Sequence, residues 1–198
     1  MSRFIGFYDY TVILTYMSLC SAVYGIILAS NDRYTAAVIC LIVSGFCDMF
    51  DGMVARSKKN RTDDEKAFGI QLDSLCDVIS FGIFPAVLGY HMGMNGVLGI
   101  ICIFLYGICA VIRLAFFNVI ESKRQQTEEG CNKTYRGLPV TSIAIIFPLA
   151  YSLRFILHNQ IYIILLHIIL AVTAFMFILD FSVKKPDWQK IFTGKHWT

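Results

Sequence analysis

"TAAVICLIVSGFCDMFDGMVAR", residues 35–56, decides the fold of this chain. Its first half is apolar enough to enter a bilayer, yet Asp48 and Asp51 follow one helical turn apart. An aspartate at the middle of a membrane helix costs roughly 2.5 to 3.5 kcal/mol, so two on one turn need something that neutralises them. The surrounding chain supports the membrane reading. Of its 198 residues, 57% are hydrophobic and 16% charged, and the mean hydropathy is +0.63, too apolar for an ordinary soluble domain. The expectation is an all-α integral membrane protein, residues 1–198 forming one domain without a linker, and no nucleic-acid partner. The first apolar run lacks a small-residue cleavage site and reads as a span rather than a removed leader. Seven cysteines form no CxxC pair and are expected to be buried free thiols.

Six apolar runs are long enough to count as spans: about Val12 to Ser30, Thr35 to Ala55, Phe68 to Tyr90, Gly93 to Ile120, Leu138 to Leu157 and Ile161 to Val183. Short links ("NDRY", "HMGMN", "HNQ") alternate with long polar ones ("RSKKNRTDDEKA", "ESKRQQTEEGCNKTYRG"). Of 17 Lys and Arg, 14 fall in the termini and the long loops; only Arg33 and Arg154 fall on the other side, and Arg113 lies within a span. This asymmetry predicts a six-helix bundle in the cell membrane with both termini, both long loops and the acidic site facing the cytoplasm. "TDDE" at 62–65 has the form of a capping box, which starts the third helix inside the loop. Pro85, in "SFGIFP", should bend the third span, and Pro139 suits the first turn of the fifth.

The third span carries the second acidic stripe. "FGIQLDSLCDVIS" sets Gly69, Asp73 and Asp77 at intervals of four with Ser80 three further on, all on one helical face. Asp48, Asp51, Gly52 and Ala55 make the matching stripe on the second span. Asp48 lies roughly 12 Å below Arg56 at the membrane edge, and Asp73, Asp77 and Arg113 reach similar depth. Four carboxylates in one layer repel one another, and a single Arg cannot balance them; bound cations can. An all-oxygen set without His or Cys favours Mg²⁺ or Mn²⁺ over Zn²⁺. Two such ions suit displacement at phosphorus. Arg56, next to the acidic stripe, is the best phosphate contact, whereas Lys58, Lys59 and Arg61 read as a loop that binds the anionic leaflet. His167 is expected to be a packing residue, and Asp180 to need no role.

The string Asp48-x2-Asp51-Gly52-x2-Ala55-Arg56, then twelve residues, then Gly69-x3-Asp73-x3-Asp77 resembles the signature of the CDP-alcohol phosphotransferases at all its defined positions. The long gap, "SFGIFPA", "IRLAFFN" at 112–118 and "GLPVTS" at 137–142 resemble the phosphatidylserine synthase branch. One departure stands out: Phe116 occupies the place of a second Arg that the branch often has. The resemblance implies transfer of a phosphatidyl group from CDP-diacylglycerol to L-serine, with CMP released. Asp48, Asp51, Asp73 and Asp77 would hold two Mg²⁺ or Mn²⁺ ions, with Asp77 also the general base. Asp48, Gly52, Ala55, Arg56 and Gly69 would bind the nucleotide. Arg113, with Ser80, Asn118, Arg136 and Ser142, would face the acceptor or a phosphate. A homodimer among membrane lipids is expected; "GMNGVLG" at 93–99 offers small residues for close packing. Glycerol phosphate or inositol phosphate would be the alternative acceptor. A divalent cation transporter is the alternative of another class, disfavoured because the outer halves of the spans hold almost no polar groups.

Overall fold

The computed structural model describes residues 6–8, 10–58, 61–127 and 134–184, with the backbone course alone for Arg56, 121–127, 134–136 and 182–184. It is predominantly helical. A 3₁₀ turn, Tyr10–Val12, leads into α1 (Ile13–Ser30). Next come α2 (Tyr34–Ser57), α3 (Asp63–Asp77), α4 (Phe84–His91), α5 (Val97–Thr127), α6 (Ile143–Ser152) and α7 (Asn159–Ile178).

Five of the helical stretches are long and apolar enough to cross a membrane: Tyr10–Ser30, Tyr34–Ala55, Asp63–His91, Val97–Ile120 and Asn159–Ile178. The fifth run expected from the sequence is a shorter apolar helix, Val140–Phe155. Its ends tighten into 3₁₀ turns at Val140–Ser142 and Leu153–Phe155. One small addition departs from the all-α expectation: β1 (Thr134–Arg136) and β2 (Ser182–Lys184) pair antiparallel, Tyr135 opposite Val183. This ribbon ties the segment before α6 to the segment after α7.

Helix α1 packs along α2, with Thr15 and Ser18 reaching Asp51 and Ser44 across the pair, and it buries the small residues Ala22, Gly25 and Ala29 as well. Within hydrocarbon, hydrophobicity does not drive helices together, so close backbones and hydrogen bonds take that part. Ser18 Oγ lies 2.7 Å from Ser44 Oγ, and Ser21 Oγ donates to the Cys40 carbonyl at 2.9 Å. Gly25 is required: an added Cβ would stand 2.2 Å from Phe84 Cζ. Phe84, with Phe81, Tyr106, Phe147 and Leu166, forms the fully buried centre of the bundle.

The capping box is formed as the sequence predicts. Thr62 Oγ1 accepts from the Glu65 amide at 3.2 Å, and Glu65 Oε2 accepts from the Thr62 amide at 2.9 Å. The bend expected at Pro85 takes a particular form: Val78–Ile83 is a π-helical stretch joining α3 to α4. Proline has no N–H to offer the preceding turn. The Phe81 carbonyl, four residues before it, accepts from the Tyr106 hydroxyl at 2.6 Å. In "GMNGVLG" the glycines shape the α4–α5 turn: Gly93 has φ +118°, and an added Cβ at Gly99 would meet the Met94 carbonyl at 2.2 Å.

Candidate active site

The two acidic stripes meet. One carboxylate oxygen each from Asp48 on α2 and from Asp73 and Asp77 on α3 lie within 4.8 Å of one another. Asp51 stands beside Asp73, and Asp48 beside Asp77. Asp51 and Asp77 are each only 8% exposed. The fourth carboxylate is held from a third helix, because Thr15 Oγ1 of α1 donates to Asp51 Oδ2 at 3.2 Å.

The group of residues fits a hard divalent ion. All donors are carboxylate oxygens, the ligand type that Mg²⁺ and Mn²⁺ prefer. Oxygens at about 2.1 Å from one ion can be no more than about 4.2 Å apart. A set already within 4.8 Å needs only small side-chain rotations to close on one. Asp73 Oδ1 is buried and has no hydrogen-bond partner among the described residues, which leaves an acceptor that a cation would satisfy.

Gly52 and Ala55, half-buried, follow Asp48 and Asp51 along α2. Gly69, one turn before Asp73, does not leave open space: an added Cβ there would stand 2.7 Å from Arg61 Nη2. Arg61 folds back over α3, donating from Nη2 to the Glu65 carbonyl at 3.1 Å, while its buried Nε has no hydrogen-bond partner among the described residues. Sequence reading set Arg61 with Lys58 and Lys59 in a loop that binds the anionic leaflet. The capping box read at 62–65 is present, but its spacing alone does not tell that residue 61 comes over residue 69. The Lys58–Glu65 ion pair at 3.2 Å draws the loop in the same direction.

Arg113 is buried at 7% exposure but answers to a different environment from the one expected. Its Nε donates to the Leu138 carbonyl at 3.1 Å, and its guanidinium lies 5.9 Å from the Phe117 ring centroid. The carboxylate whose charge it feels is Asp180, for which sequence reading saw no role. Gly137, at φ +72°, brings its backbone against Arg113; a Cβ there would meet Nε at 3.5 Å. The aspartates thus stand between α2 and α3, and Arg113 of α5 lies beside the turn into α6.

The hydroxyl and amide candidates have partners within the bundle. Ser80 is fully buried in the π-helical stretch, 3.5 Å from Ser18 Oγ. Asn118 Oδ1 accepts from Ser74 Oγ, next to Asp73, at 2.7 Å. Ser142 Oγ bonds the Pro139 carbonyl at 2.6 Å. The side chains of Arg56 and Arg136, and all of Lys59, lie outside the described residues. His167 behaves as a packing residue, its Nδ1 2.7 Å from the Ile163 carbonyl of its own helix. Cys20, Cys40, Cys47, Cys76, Cys102 and Cys109 are free.

With this geometry in view, the likenesses to known proteins acquire a structural basis. A CDP-diacylglycerol–serine O-phosphatidyltransferase of Saccharomyces cerevisiae is 32% identical over 130 residues, 64% of this chain and 46% of that one. A protein of the same description from Bacillus subtilis is 36% identical over 107 residues, 53% of this chain and 54% of that one. An archaetidylserine synthase of Methanothermobacter thermautotrophicus is 33% identical over 134 residues, 67% and 53%. The chain spans about half the length of the curated relatives it matches. No solved structure matches it. Residues 10–179, from the turn before α1 to the end of α7, match the CDP-alcohol phosphatidyltransferase family, and the chain belongs to that family.

Proposed function

We propose that this protein transfers the phosphatidyl group of CDP-diacylglycerol to the hydroxyl of L-serine, forming phosphatidylserine and CMP. The observation that carries the reading is the convergence of Asp48, Asp73 and Asp77 within 4.8 Å from two different helices. The choice of serine is supported by relatives described as serine phosphatidyltransferases and as an archaetidylserine synthase.

Two Mg²⁺ or Mn²⁺ ions would be held by Asp48, Asp51, Asp73 and Asp77. Bound there, they would polarise the diphosphate and offset the charge on the departing phosphate. The protein's own groups do the rest. Asp77 accepts the proton of the serine hydroxyl as that oxygen attacks the phosphorus bearing diacylglycerol. The new O–P bond replaces the bond from that phosphorus to the CMP oxygen, and the electron pair leaves with CMP. Because a serine hydroxyl is a weak nucleophile, holding it beside Asp77 contributes as much as basicity. Gly52 and Ala55 leave room for the cytidine, while Arg56 and Arg61 meet the nucleotide phosphates. Arg113, steadied by the Leu138 carbonyl and Asp180, takes the serine carboxylate, and Ser80, Asn118, Arg136 and Ser142 are the further groups for the acceptor or a phosphate.

In the same reading, residues 1–198 form one domain, the Val140–Phe155 helix crosses with the other five as a sixth span, and both termini and the site face the cytoplasm. The 14 Lys and Arg on that side support this orientation. A homodimer is the assembly the family resemblance implies. The test is an acceptor assay: purified protein with CDP-diacylglycerol and L-serine, glycerol phosphate or inositol phosphate, with CMP followed. Serine should drive CMP release and yield phosphatidylserine. Product from glycerol phosphate and none from serine would overturn the assignment.

A further inference from the structure

At the end of the bundle opposite the carboxylates, an open cavity of about 510 Å³ lies between the start of α2 and the end of α6. Arg33, Tyr34, Thr35, Tyr151 and Arg154 line it, with Asp32 at the turn. Arg33 precedes Asp48 by fifteen residues of α2, roughly 22 Å along a helix. This cavity is therefore separate from the proposed active site. Arg33 and Arg154 are the two cations that the charge distribution leaves on the short-loop side, and although far apart in sequence they share one cavity.

The cavity is built rather than incidental. The Arg154 guanidinium lies 4.9 Å from the Tyr34 ring centroid and 5.9 Å from that of Tyr151, a stacking that fixes a flexible cation. Both rings are anchored in turn. The Tyr34 hydroxyl is 2.5 Å from Asp32 Oδ1 and 2.8 Å from the His91 carbonyl. The Tyr151 hydroxyl is 2.7 Å from Thr35 Oγ1. Among the described residues, neither Arg33 nor Arg154 has a carboxylate within ion-pair distance.

Two guanidiniums and one carboxylate leave the cavity with one net positive charge. That matches the single negative charge of a phosphodiester better than the higher charge of free phosphate or a nucleotide. The cavity's rim is apolar and open: Phe155, which lines it, is 74% exposed and the next residue, Ile156, 80%. We propose that this cavity is a phospholipid site in the leaflet opposite the carboxylates. The lipid phosphodiester sits between Arg33 and Arg154, and its acyl chains run over Phe155 and Ile156.

The test uses the full chain purified in detergent. Thermal unfolding is followed with dioleoylphosphatidylglycerol, with dioleoylglycerol, which has the same chains and no phosphate, and with inorganic phosphate, which has no chains. Native mass spectrometry counts retained lipid. The phospholipid should raise the melting temperature of the native protein, and the other two probes should not. In R33Q/R154Q the rise should vanish, apparent affinity should fall about tenfold or more, and one fewer phospholipid should be retained. R154K, which keeps the charge but loses the planar stacked guanidinium, should keep only part of the effect. An equal rise in R33Q/R154Q, or one reproduced by dioleoylglycerol or inorganic phosphate, would overturn the proposal. Should the double variant not fold, R33Q alone decides, since Arg33 is exposed; an undiminished phospholipid effect there would overturn it too.

Discussion

Thr15 of α1 donates a 3.2 Å hydrogen bond to Asp51 Oδ2 of α2, and both residues are buried. A carboxylate beside a metal site is oriented by such outer contacts, whose loss typically costs 10- to 100-fold in metal affinity or activity. Thr15→Val should therefore raise the Mg²⁺ concentration needed for half-maximal CMP release by roughly tenfold. Thr15→Ser, which keeps the hydroxyl, should stay near the native value. A metal titration of both variants checks this, and an unchanged requirement in Thr15→Val would remove Thr15 as a positioning residue.

Arg61 and Gly69 form a second coupled pair, since the guanidinium lies where a side chain on Gly69 would be. Arg61→Gln should raise KM for CDP-diacylglycerol by about tenfold, the loss of one charge-assisted phosphate contact. Gly69→Ala should displace the guanidinium and act in the same direction. Because the two share one interaction, the double variant should be much less impaired than the sum of the single effects. Strict additivity would mean that Gly69 serves the nucleotide directly.

The π-helical stretch beyond Asp77 depends on a group from α5. Tyr106→Phe leaves the buried Phe81 carbonyl without its 2.6 Å donor, a deficit of about 1 to 3 kcal/mol. Thermal or denaturant unfolding should register that loss. Stability equal to the native protein would show that the carbonyl is satisfied in another way.

Close packing of α1 on α4 gives a matching expectation. Gly25→Ala would place a methyl 2.2 Å from Phe84 Cζ, and Phe84 is fully buried. Overpacking of this kind costs about 1 to 3 kcal/mol. Unfolding measurements in detergent should show the destabilisation, and a neutral substitution would contradict the tight α1–α4 contact.

These residues also mark where sequence reading succeeds and where it stops. Helical periodicity puts Asp48 with Asp51, and Asp73 with Asp77, on single faces, because spacing along one helix is local geometry. The Thr62–Glu65 box is equally local, and it forms as read. Contacts across helices are not written in spacing. Nothing in the string links Thr15 to Asp51, or Arg113 to Asp180. Pro85 signals an interruption, but the π-helical form of it depends on Tyr106, a residue of another helix. The apolar run from Leu138 to Leu157 suggests a full span, while the helical stretch is Val140–Phe155 and 3₁₀ turns at both ends leave only Ile143–Ser152 as α-helix. Composition measures hydrophobic length and does not register how backbone turns divide it.

The central claim is that Asp48, Asp73 and Asp77 hold a divalent ion together. Electron paramagnetic resonance of the purified protein titrated with Mn²⁺ tests it without relying on turnover. The native protein should bind Mn²⁺, and Asp48→Asn, Asp73→Asn and Asp77→Asn should each weaken that binding by at least about tenfold. Undiminished Mn²⁺ binding in the folded triple variant would contradict the account.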